Sequence, residues 1–263
     1  LHIHTRVSDG MASVSQVLEY VEHRTDLDVV AITDHEDAGG GLRARALAAK
    51  RGYRFDVIVG AEVPTMQGHV IGLFLEPTPA SFRRAASTIA LINNQAGLAV
   101  APHPLSWLTR SISSRTLNRL ARQDGPRFDA IELASPSPAA LRPRERAVRL
   151  NNEVWRLPAI GSSDAHHLGH IATGWTEFEG SSSDAVRDAM RSGQTTARMS
   201  VYPSMREIGF ARLAAGLAWG YSATTRILLR RRLCHETYTA HARQRTGWKV
   251  PKLACELAAL AAA

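Results

Sequence analysis

With 263 residues, of which 44% are hydrophobic and 21% charged, the chain is long enough for one sizeable globular α/β domain and a small appendage. Its two cysteines, Cys234 and Cys255, both lie near the carboxyl end, which excludes a disulfide framework for the main domain and favours a reducing cytoplasm. The sequence has neither a signal peptide nor an apolar run of membrane-spanning length, so we expect a soluble cytoplasmic protein.

The net charge of +8 is unevenly distributed. Residues 1–205 carry 22 Lys and Arg against 21 Asp and Glu, whereas residues 206–263 carry 10 against 3. We therefore predict a nearly neutral main domain over residues 1–200 and a basic, partly helical extension over residues 201–263. The basic excess of this extension would be the part that attracts nucleic acid or an anionic lipid surface.

The first ten residues bring two imidazoles and a carboxylate close together. Alternate residues of an extended strand point to the same side, so His2 and His4 can reach one metal ion together. Asp9 follows in a Ser-Asp-Gly turn, where its carboxylate could meet a second ion. A strand normally has several residues before such a functional end, so we expect a short piece of chain before Leu1.

Helical and strand patterns then alternate along the chain. Ser13 and Gln16 have capping-box form at the start of the first helix, in which Val17, Leu18 and Val21 recur at helical spacing. Further helices are predicted after the glycine run 39–41 as far as residue 52, and over residues 79–96, 115–122, 144–156 and 182–191. Short apolar strands are predicted over residues 28–33, 55–59, 69–74, 98–101, 130–133 and 159–162. About seven strands alternating with helices favour a parallel sheet with crossover helices.

Candidate metal ligands recur where these strands begin or end. They are Asp34-His35, Glu62, His69, the Pro102-His103-Pro104 segment, and Asp164 with His166. Polar motifs placed repeatedly at the carboxyl ends of strands are typical of the active face of a barrel. The sequence therefore predicts one site that collects ligands from most of residues 1–166.

Taken together and in order, these motifs closely resemble the PHP family, the polymerase and histidinol phosphatase superfamily. The motifs are His2-x-His4, Asp9, Thr33-Asp34-His35, Gly60-Ala61-Glu62, Gly68-His69-Val70-Ile71-Gly72-Leu73, Pro102-His103-Pro104 and Ser163-Asp164-Ala165-His166. Each motif alone is weak evidence, whereas the full ordered set is specific and covers roughly residues 1–200. The resemblance implies an α/β fold, a distorted (βα)7 TIM-like barrel with divalent metals at its carboxyl-terminal face.

The resemblance also implies which residues hold the metals. His2, His4, Glu62 and Asp164 would hold one ion, Glu62 would bridge to a second ion held by His69 and His103, and Asp9, His35 and His166 would hold a third. Neutral imidazoles and carboxylates suit several divalent metals. We therefore expect two or three ions of manganese, zinc or iron, with magnesium less favoured.

A cluster of this kind is suited to phosphoester hydrolysis, because metal ions lower the pKa of bound water and orient phosphate oxygens. The resemblance implies a metal-dependent phosphoesterase that attacks with a metal-bound hydroxide. Its substrate would be a phosphomonoester or the 5′ phosphate of a nucleotide or oligonucleotide. Glu62, Asp164 and His166 are the predicted catalytic residues, and either a cluster residue such as His166 or a carboxylate behind the ligands would assist protonation. The alternatives are a 5′ to 3′ exonuclease on RNA or DNA and a non-catalytic PHP scaffold or regulatory module.

Four further polar residues have less specific signals. Asp34 and Glu132 are equally consistent with a role in orienting the ligands and with ordinary strand-end polar groups. His167 and His170 flank the last motif and are interpreted as structural, because the Asp-x-His spacing selects His166.

Aromatic and basic side chains near the predicted active face offer possible substrate contacts. Trp107 follows the His103 strand and could stack on a base, although packing in the core or at the rim is the favoured interpretation. Arg110 and the arginines of residues 142–149 could meet phosphate, although a solvated helix face is favoured for most of them.

The predicted extension combines apolar and basic residues. Ile208, Phe210, Leu213, Leu217 and Trp219 are the apolar ones, and residues 230–232 are three consecutive arginines. One interpretation is an amphipathic helix that packs on the main domain with a basic outer surface. The other, which is favoured, is an extension partly disordered beyond residue 232.

Overall fold

The computed structural model describes residues 1–201 and the six helical positions 211, 214, 215, 218, 219 and 222. The chain divides into two compact units, Leu1–Ser204 and Met205–Ala263. Most of the predicted extension, including its arginine run and both cysteines, lies outside the described residues. Within the described part, no helix is both long and apolar enough to cross a membrane.

Six strands form one mixed sheet in the order β1 to β6, which curls into a half-barrel. The strands are β1 (Val29–Ile32), β2 (Asp56–Thr65), β3 (Gly68–Leu73), β4 (Leu98–Ala101), β5 (Ala130–Ala134) and β6 (Ala159–Gly161). β1 is parallel to β2, and β4, β5 and β6 are parallel to one another. Two further strands, β7 (Gly174–Glu177) and β8 (Thr196–Met199), form a separate antiparallel pair.

The predicted all-parallel arrangement is wrong at β3, which runs antiparallel to both β2 and β4. Only residues 66 and 67 join β2 to β3, whereas a parallel return needs a crossover of about a dozen residues or more. The reversal is important for the site. Because β3 runs the other way, His69 near its start lies at the same edge of the sheet as the carboxyl ends of the parallel strands.

The first five residues connect the two edges of the six-stranded sheet. The backbone N–H of His4 donates to the carbonyl of Ala165 over 2.9 Å, and the N–H of Thr33 donates to the carbonyl of Ile3 over 2.9 Å. Ile3 and Ala165 form an isolated parallel bridge. Since this connection is a single bridge and not a paired strand, a continuous seven-stranded barrel stays a prediction.

The helices of the described part lie between these strands. They are α1 (Val14–Arg24), α2 (Gly39–Arg51), α3 (Ala85–Asn93), α4 (Ser114–Arg122), α5 (Pro138–Leu141), α6 (Arg144–Leu150) and α7 (Ser183–Ser192). The predicted capping box of α1 is present, because the Ser13 side chain accepts from the backbone N–H of Gln16 and the Gln16 side chain accepts from that of Ser13. Gly52 ends α2 in a left-handed conformation, with φ of 65°.

Three predicted helix boundaries differ from the structure. The glycine run 39–41 lies inside α2 and does not precede it. The helix predicted from residue 79 begins at Ala85, because Phe82 and Met66 form backbone hydrogen bonds between the 79–84 segment and the β2–β3 hairpin. The helix predicted over residues 144–156 stays α-helical only to Leu150 and continues as a π-helical turn, Asn151–Trp155.

β1 shows why the sequence pattern of these strands is continuously apolar. Its Val30 and Ile32 pack with residues of α1 and α2, including Leu18 and Ala44. Its Val29 and Ala31 pack on the opposite face, in the cluster that contains Val186 and Met190 of α7. A strand buried on both faces needs apolar side chains at every position. The sheet therefore forms a rigid support for the side chains at its edge.

Candidate metal centre

All nine side chains predicted to ligate metal lie at one edge of the six-stranded sheet. His2, His4 and Asp9 come from the amino-terminal segment, His35 follows β1, Glu62 is in β2, His69 is in β3, His103 follows β4, and Asp164 and His166 follow β6. We divide them into three ligand groups, which are the three sets of residues that the sequence predicts to hold one ion each. Short distances between nitrogen and oxygen atoms join the residues of each group.

In the first ligand group, Glu62 and Asp164 each bring a carboxylate oxygen close to the same two imidazole nitrogens, those of His2 and His4. Nε2 of His2 lies 3.0 Å from Nε2 of His4 and 3.2 Å from Oε2 of Glu62. Nε2 of His4 lies 3.3 Å from the same Glu62 oxygen. Oδ1 of Asp164 lies 3.4 and 3.6 Å from these two imidazole nitrogens. The five separations all fall between 3.0 and 3.6 Å.

The second ligand group, Glu62, His69 and His103, uses the other oxygen of the same carboxylate. Oε1 of Glu62 lies 2.8 Å from Nδ1 of His69 and 3.1 Å from Nε2 of His103. Glu62 is 1% exposed, so both oxygens face other protein groups. One carboxylate thus joins two sets of imidazoles, which is the arrangement that a bridging ligand requires.

The third ligand group, Asp9, His35 and His166, lies nearer to solvent. Oδ2 of Asp9 is 3.2 Å from Nε2 of His166 and 3.5 Å from Nε2 of His35. His35 also reaches the centre, with Nδ1 3.4 Å from Oε2 of Glu62. On the other side, Nδ1 of His4 lies 3.4 Å from Oδ1 of Asp9. His4 and His35 therefore each contact residues of more than one ligand group.

The donor atoms of the first ligand group fit a divalent cation. Zinc binds nitrogen and oxygen at about 2.0–2.2 Å in a tetrahedron, in which the ligand atoms are roughly 3.3–3.6 Å apart. The separations that join each carboxylate oxygen to the two imidazole nitrogens, 3.2–3.6 Å, are close to this size. In addition, Nδ1 of His4 is buried and has no hydrogen-bond partner among the described residues. A cation shared by the imidazole and carboxylate donors would satisfy such groups, so the residues present fit the metals that the sequence predicts.

The imidazoles and carboxylates of the cluster strongly shift each other's pKa values. Burial by itself would lower the pKa of His4, but Asp9, Asp164 and Glu62 outweigh burial and raise it to about 9. Burial would raise the pKa of Glu62, but the neighbouring imidazoles, His69 first, hold it well below its usual range. The imidazoles of the first ligand group lower the pKa of Asp164 against the same effect of burial. The carboxylates are therefore ionised at neutral pH and available as ligands.

We expect the metal-free protein to lose stability as the pH rises from about 6.5 to 9. A group whose pKa is raised on folding stabilises the fold below its unfolded pKa, and this stabilisation is lost as the pH passes its folded pKa. For His4, raised from 6.5 to about 9, the loss is on the order of 3 kcal/mol. Urea unfolding with chelator at pH 6.5 and 9.5 measures it. Added metal should remove the dependence, because coordination needs neutral imidazole. Equal stability of the chelated protein at both pH values would contradict this charge assignment.

Two ligand-bearing segments have an unusual backbone. His103 has φ of 27° and Asp164 has φ of 49°, both in the left-handed region that residues other than glycine rarely adopt. His103 also stands between two prolines, which restrict the chain on either side. Such conformations cost about 1–3 kcal/mol each and concentrate at functional sites. Their presence at two predicted ligands indicates that the surrounding fold fixes the directions of these two side chains.

Glu132, for which the sequence left two interpretations open, contacts three segments of the site. Its Oε1 accepts from Nδ1 of His2 at 3.2 Å and from the hydroxyl of Ser162. Its Oε2 accepts from the backbone N–H of His103 at 2.6 Å. A carboxylate that accepts from Nδ1–H fixes the tautomer in which Nε2 is free to ligate. The structure therefore favours the orienting interpretation.

Asp34 lies behind the predicted ligands and contacts the segment before Asp9. Its Oδ1 accepts from the backbone N–H of Thr5 and from the hydroxyl of Ser8, both over 2.7 Å. Its Oδ2 accepts from the Thr5 hydroxyl over 2.8 Å. These bonds hold the turn that presents Asp9. Asp34 thus holds the segment that carries the predicted ligand Asp9, through hydrogen bonds to Thr5 and Ser8.

The structure also places side chains that the sequence reasoning missed. Ser111 and Thr109, in the loop after β4, lie 2.7 and 3.1 Å from Nδ1 of His103. Ser162 reaches Glu132 from the end of β6. No local pattern marks these hydroxyl groups, because their partners are close only in the folded chain. Their effect is to fix the imidazole of His103 and the carboxylate of Glu132.

The remaining predictions concern the two histidines that flank the last motif and the aromatic and basic side chains near the active face. His170 is 7% exposed and its ring centroid lies 3.3 Å from that of His167, outside the three ligand groups, as the structural interpretation expects. Trp107 is 66% exposed, which excludes the core and leaves the rim as its position. The guanidinium carbons of Arg110 and Arg142 lie over aromatic rings, those of Phe82 and Trp107 respectively.

Comparison with known families matches residues 143–195 to the PHP-associated family. The chain is 34% identical over 126 residues to an uncharacterised protein of Methanocaldococcus jannaschii, and the match covers 44% of this chain and 72% of that protein. It is 33% identical over 93 residues to the 3′,5′-nucleoside bisphosphate phosphatase of Chromobacterium violaceum, covering 34% of this chain and 32% of the phosphatase.

Solved structures resemble this chain over much of its length. A two-domain protein from Bacteroides vulgatus, which contains a predicted PHP-like metal-dependent phosphoesterase, superposes with a TM-score of 0.60 and 19% sequence identity. The superposition covers 75% of this chain and 63% of that protein. At this identity the likeness shows the fold alone. The chain thus spans less than two thirds of this structure and about a third of the bisphosphate phosphatase.

Proposed function

Because this chain belongs to the PHP family, whose members include metal-dependent phosphoesterases, we propose that it hydrolyses a phosphomonoester at the cluster of three ligand groups. The observation that carries the proposal is the geometry of Glu62. One oxygen of this buried carboxylate faces His2 and His4, and the other faces His69 and His103. A bridging carboxylate of this kind is suited to hold two cations close enough to act on one phosphate group.

The proposed ligands are the nine predicted residues, His2, His4, Asp9, His35, Glu62, His69, His103, Asp164 and His166. Bound divalent ions would supply Lewis acidity and a water molecule of lowered pKa. The mixed nitrogen and oxygen donors suit manganese, zinc or iron better than magnesium, which prefers oxygen ligands. Glu132 and Asp34 would keep the ligands in position before substrate arrives.

His166 is the residue that we propose for proton transfer. Its side chain is 38% exposed, more than those of the other five imidazoles in the cluster whose exposures run from 0 to 19%. Nε2 of His166 lies 3.2 Å from Oδ2 of Asp9, and this carboxylate is one cause of the raised pKa of the imidazole, against the effects of burial and His4. Access to solvent allows this imidazole to give a proton to the departing oxygen when only the first and second ligand groups hold ions, because a nitrogen that ligates a cation cannot also hold a proton.

The two alternatives differ in what supports them. A 5′ to 3′ exonuclease would need a surface that follows a nucleic acid chain, and the basic extension predicted for that purpose lies outside the described residues. A non-catalytic scaffold would not need nine converging ligands. The ligand geometry therefore favours a hydrolase, whereas the choice of substrate stays a proposal.

The test combines metal analysis with an activity panel. We expect the purified protein to contain two or three divalent ions per chain and to release phosphate from p-nitrophenyl phosphate when manganese is added. The panel should also include mononucleotides, 3′,5′-bisphosphates, sugar phosphates and short RNA, each with and without chelator. Less than one ion per chain together with no phosphate release from any substrate would favour the scaffold. Release of mononucleotides from RNA without phosphatase activity would favour the exonuclease.

A further inference from the structure

Exposed aromatic rings lie beside arginine side chains at the rim of the site. Trp107 is 66% exposed, and the guanidinium carbon of Arg142 lies 5.5 Å from its ring centroid. Phe82 is 44% exposed, and the guanidinium carbon of Arg110 lies 5.7 Å from its ring centroid. Clustered large apolar side chains left in contact with water mark interaction sites more often than isolated ones do.

The loop that carries Trp107 is attached to a proposed metal ligand. The backbone N–H of Ser106 donates to the carbonyl of His103 over 3.3 Å, and the hydroxyls of Thr109 and Ser111 lie 3.1 and 2.7 Å from Nδ1 of His103. Trp107 is only four residues beyond His103, so their Cα atoms lie within about 14 Å of each other. This short connection keeps Trp107 close to the second ligand group in the fold.

Arg142 reaches the same rim from the neighbouring strand. It follows α5, in the connection that leaves the carboxyl end of β5, and β5 is paired in parallel with β4. Leu108 and Leu141, which adjoin Trp107 and Arg142 in the sequence, are 51% and 42% exposed. We call the surface formed by Trp107, Leu108, Leu141 and Arg142 the stacking lip. It combines a broad planar ring, apolar flanks and a cation.

We propose that the stacking lip binds the base of a nucleotide whose phosphate group lies at the ligand groups. A nucleobase has a flat face that stacks on indole, and the nearby guanidinium complements both the ring and the negative charge of the phosphate. A sugar phosphate has no such face, so the lip would contribute little to its binding. The inference rests on the proposed phosphoesterase function and names the substrate class, a nucleoside phosphate.

The kinetic test compares a nucleoside 5′-monophosphate with ribose 5-phosphate. Loss of one aromatic stacking partner weakens base binding by about 5- to 150-fold. In Trp107→Ala we therefore expect the ratio of kcat/KM for the nucleotide to that for the sugar phosphate to fall about tenfold or more. Trp107→Phe, which keeps a planar ring, should recover most of the ratio. Leu91→Ala, at an exposed apolar residue of α3, is the matched control and should keep it.

A binding measurement separates this inference from the proposed function. The fluorescence of 2-aminopurine riboside 5′-monophosphate is quenched when its base stacks, so titration with wild-type protein should quench it and titration with Trp107→Ala should not. Phosphatase activity without quenching, or an unchanged kinetic ratio in Trp107→Ala, would overturn the stacking lip and leave the phosphoesterase standing. Quenching without hydrolysis of any substrate would support the lip while the proposed hydrolysis fails.

Discussion

Replacing Glu62 by glutamine is expected to reduce phosphatase turnover by about a thousandfold or more and to lower the metal content by at least one ion per chain. Glutamine has almost the same volume as glutamate, but its amide offers one oxygen and one N–H₂ group, which donates and does not ligate. In the structure both oxygens of Glu62 face imidazole nitrogens. One of the two imidazole sets must therefore lose its carboxylate partner.

The measurement is steady-state kinetics together with metal analysis on the same preparations. Glu76→Gln is the matched control, because Glu76 is exposed and lies outside the three ligand groups, so its activity and metal content should equal those of wild type. A thermal melt of each variant in chelator checks that the fold is retained. If Glu62→Gln turned over substrate within tenfold of wild type and kept its full metal content, Glu62 would not be the bridging ligand.

Replacing Glu132 by glutamine is expected to weaken metal binding by about 10- to 100-fold without removing any ligand. All three partners of Glu132 donate to it, namely Nδ1–H of His2, the backbone N–H of His103 and the hydroxyl of Ser162. A glutamine side chain has one acceptor oxygen, so its N–H₂ group must face at least one of these donors. A buried donor left without a partner costs about 1–3 kcal/mol, and His2 would lose the contact that fixes its tautomer.

Titration of the chelated protein with manganese or zinc, followed by calorimetry, measures the affinity directly. Glu145→Gln, at an exposed position of α6, is the control and should bind as wild type does. A purely structural role for Glu132 would lower thermal stability with chelator present but leave the affinity of the folded protein within about twofold. That outcome would contradict the orienting role that the hydrogen bonds support.

The sequence indicated the candidate ligands because each lies in a short local motif. His-x-His places two side chains on one face of an extended segment, and the Asp-x-His of residues 164–166 follows a strand end. The capping box of α1 and the left-handed Gly52 at the end of α2 are local features of the same kind, and both are found in the structure. The helix start predicted at residue 79 is wrong, because backbone hydrogen bonds with the β2–β3 hairpin replace helical ones there.

The sequence by itself determined the residue types of the site, their order and the α/β class, because these depend on composition and on spacing within a few residues. Only the tertiary structure decided that β3 reverses, which oxygen of Glu62 faces which imidazoles, and that Glu132 contacts His2 from 130 positions away. It also decided that the side chain of Trp107 is exposed to solvent and lies beside Arg142. The physical reason is that hydrogen bonds and burial depend on which distant segments meet, and local periodicity carries no information about that meeting.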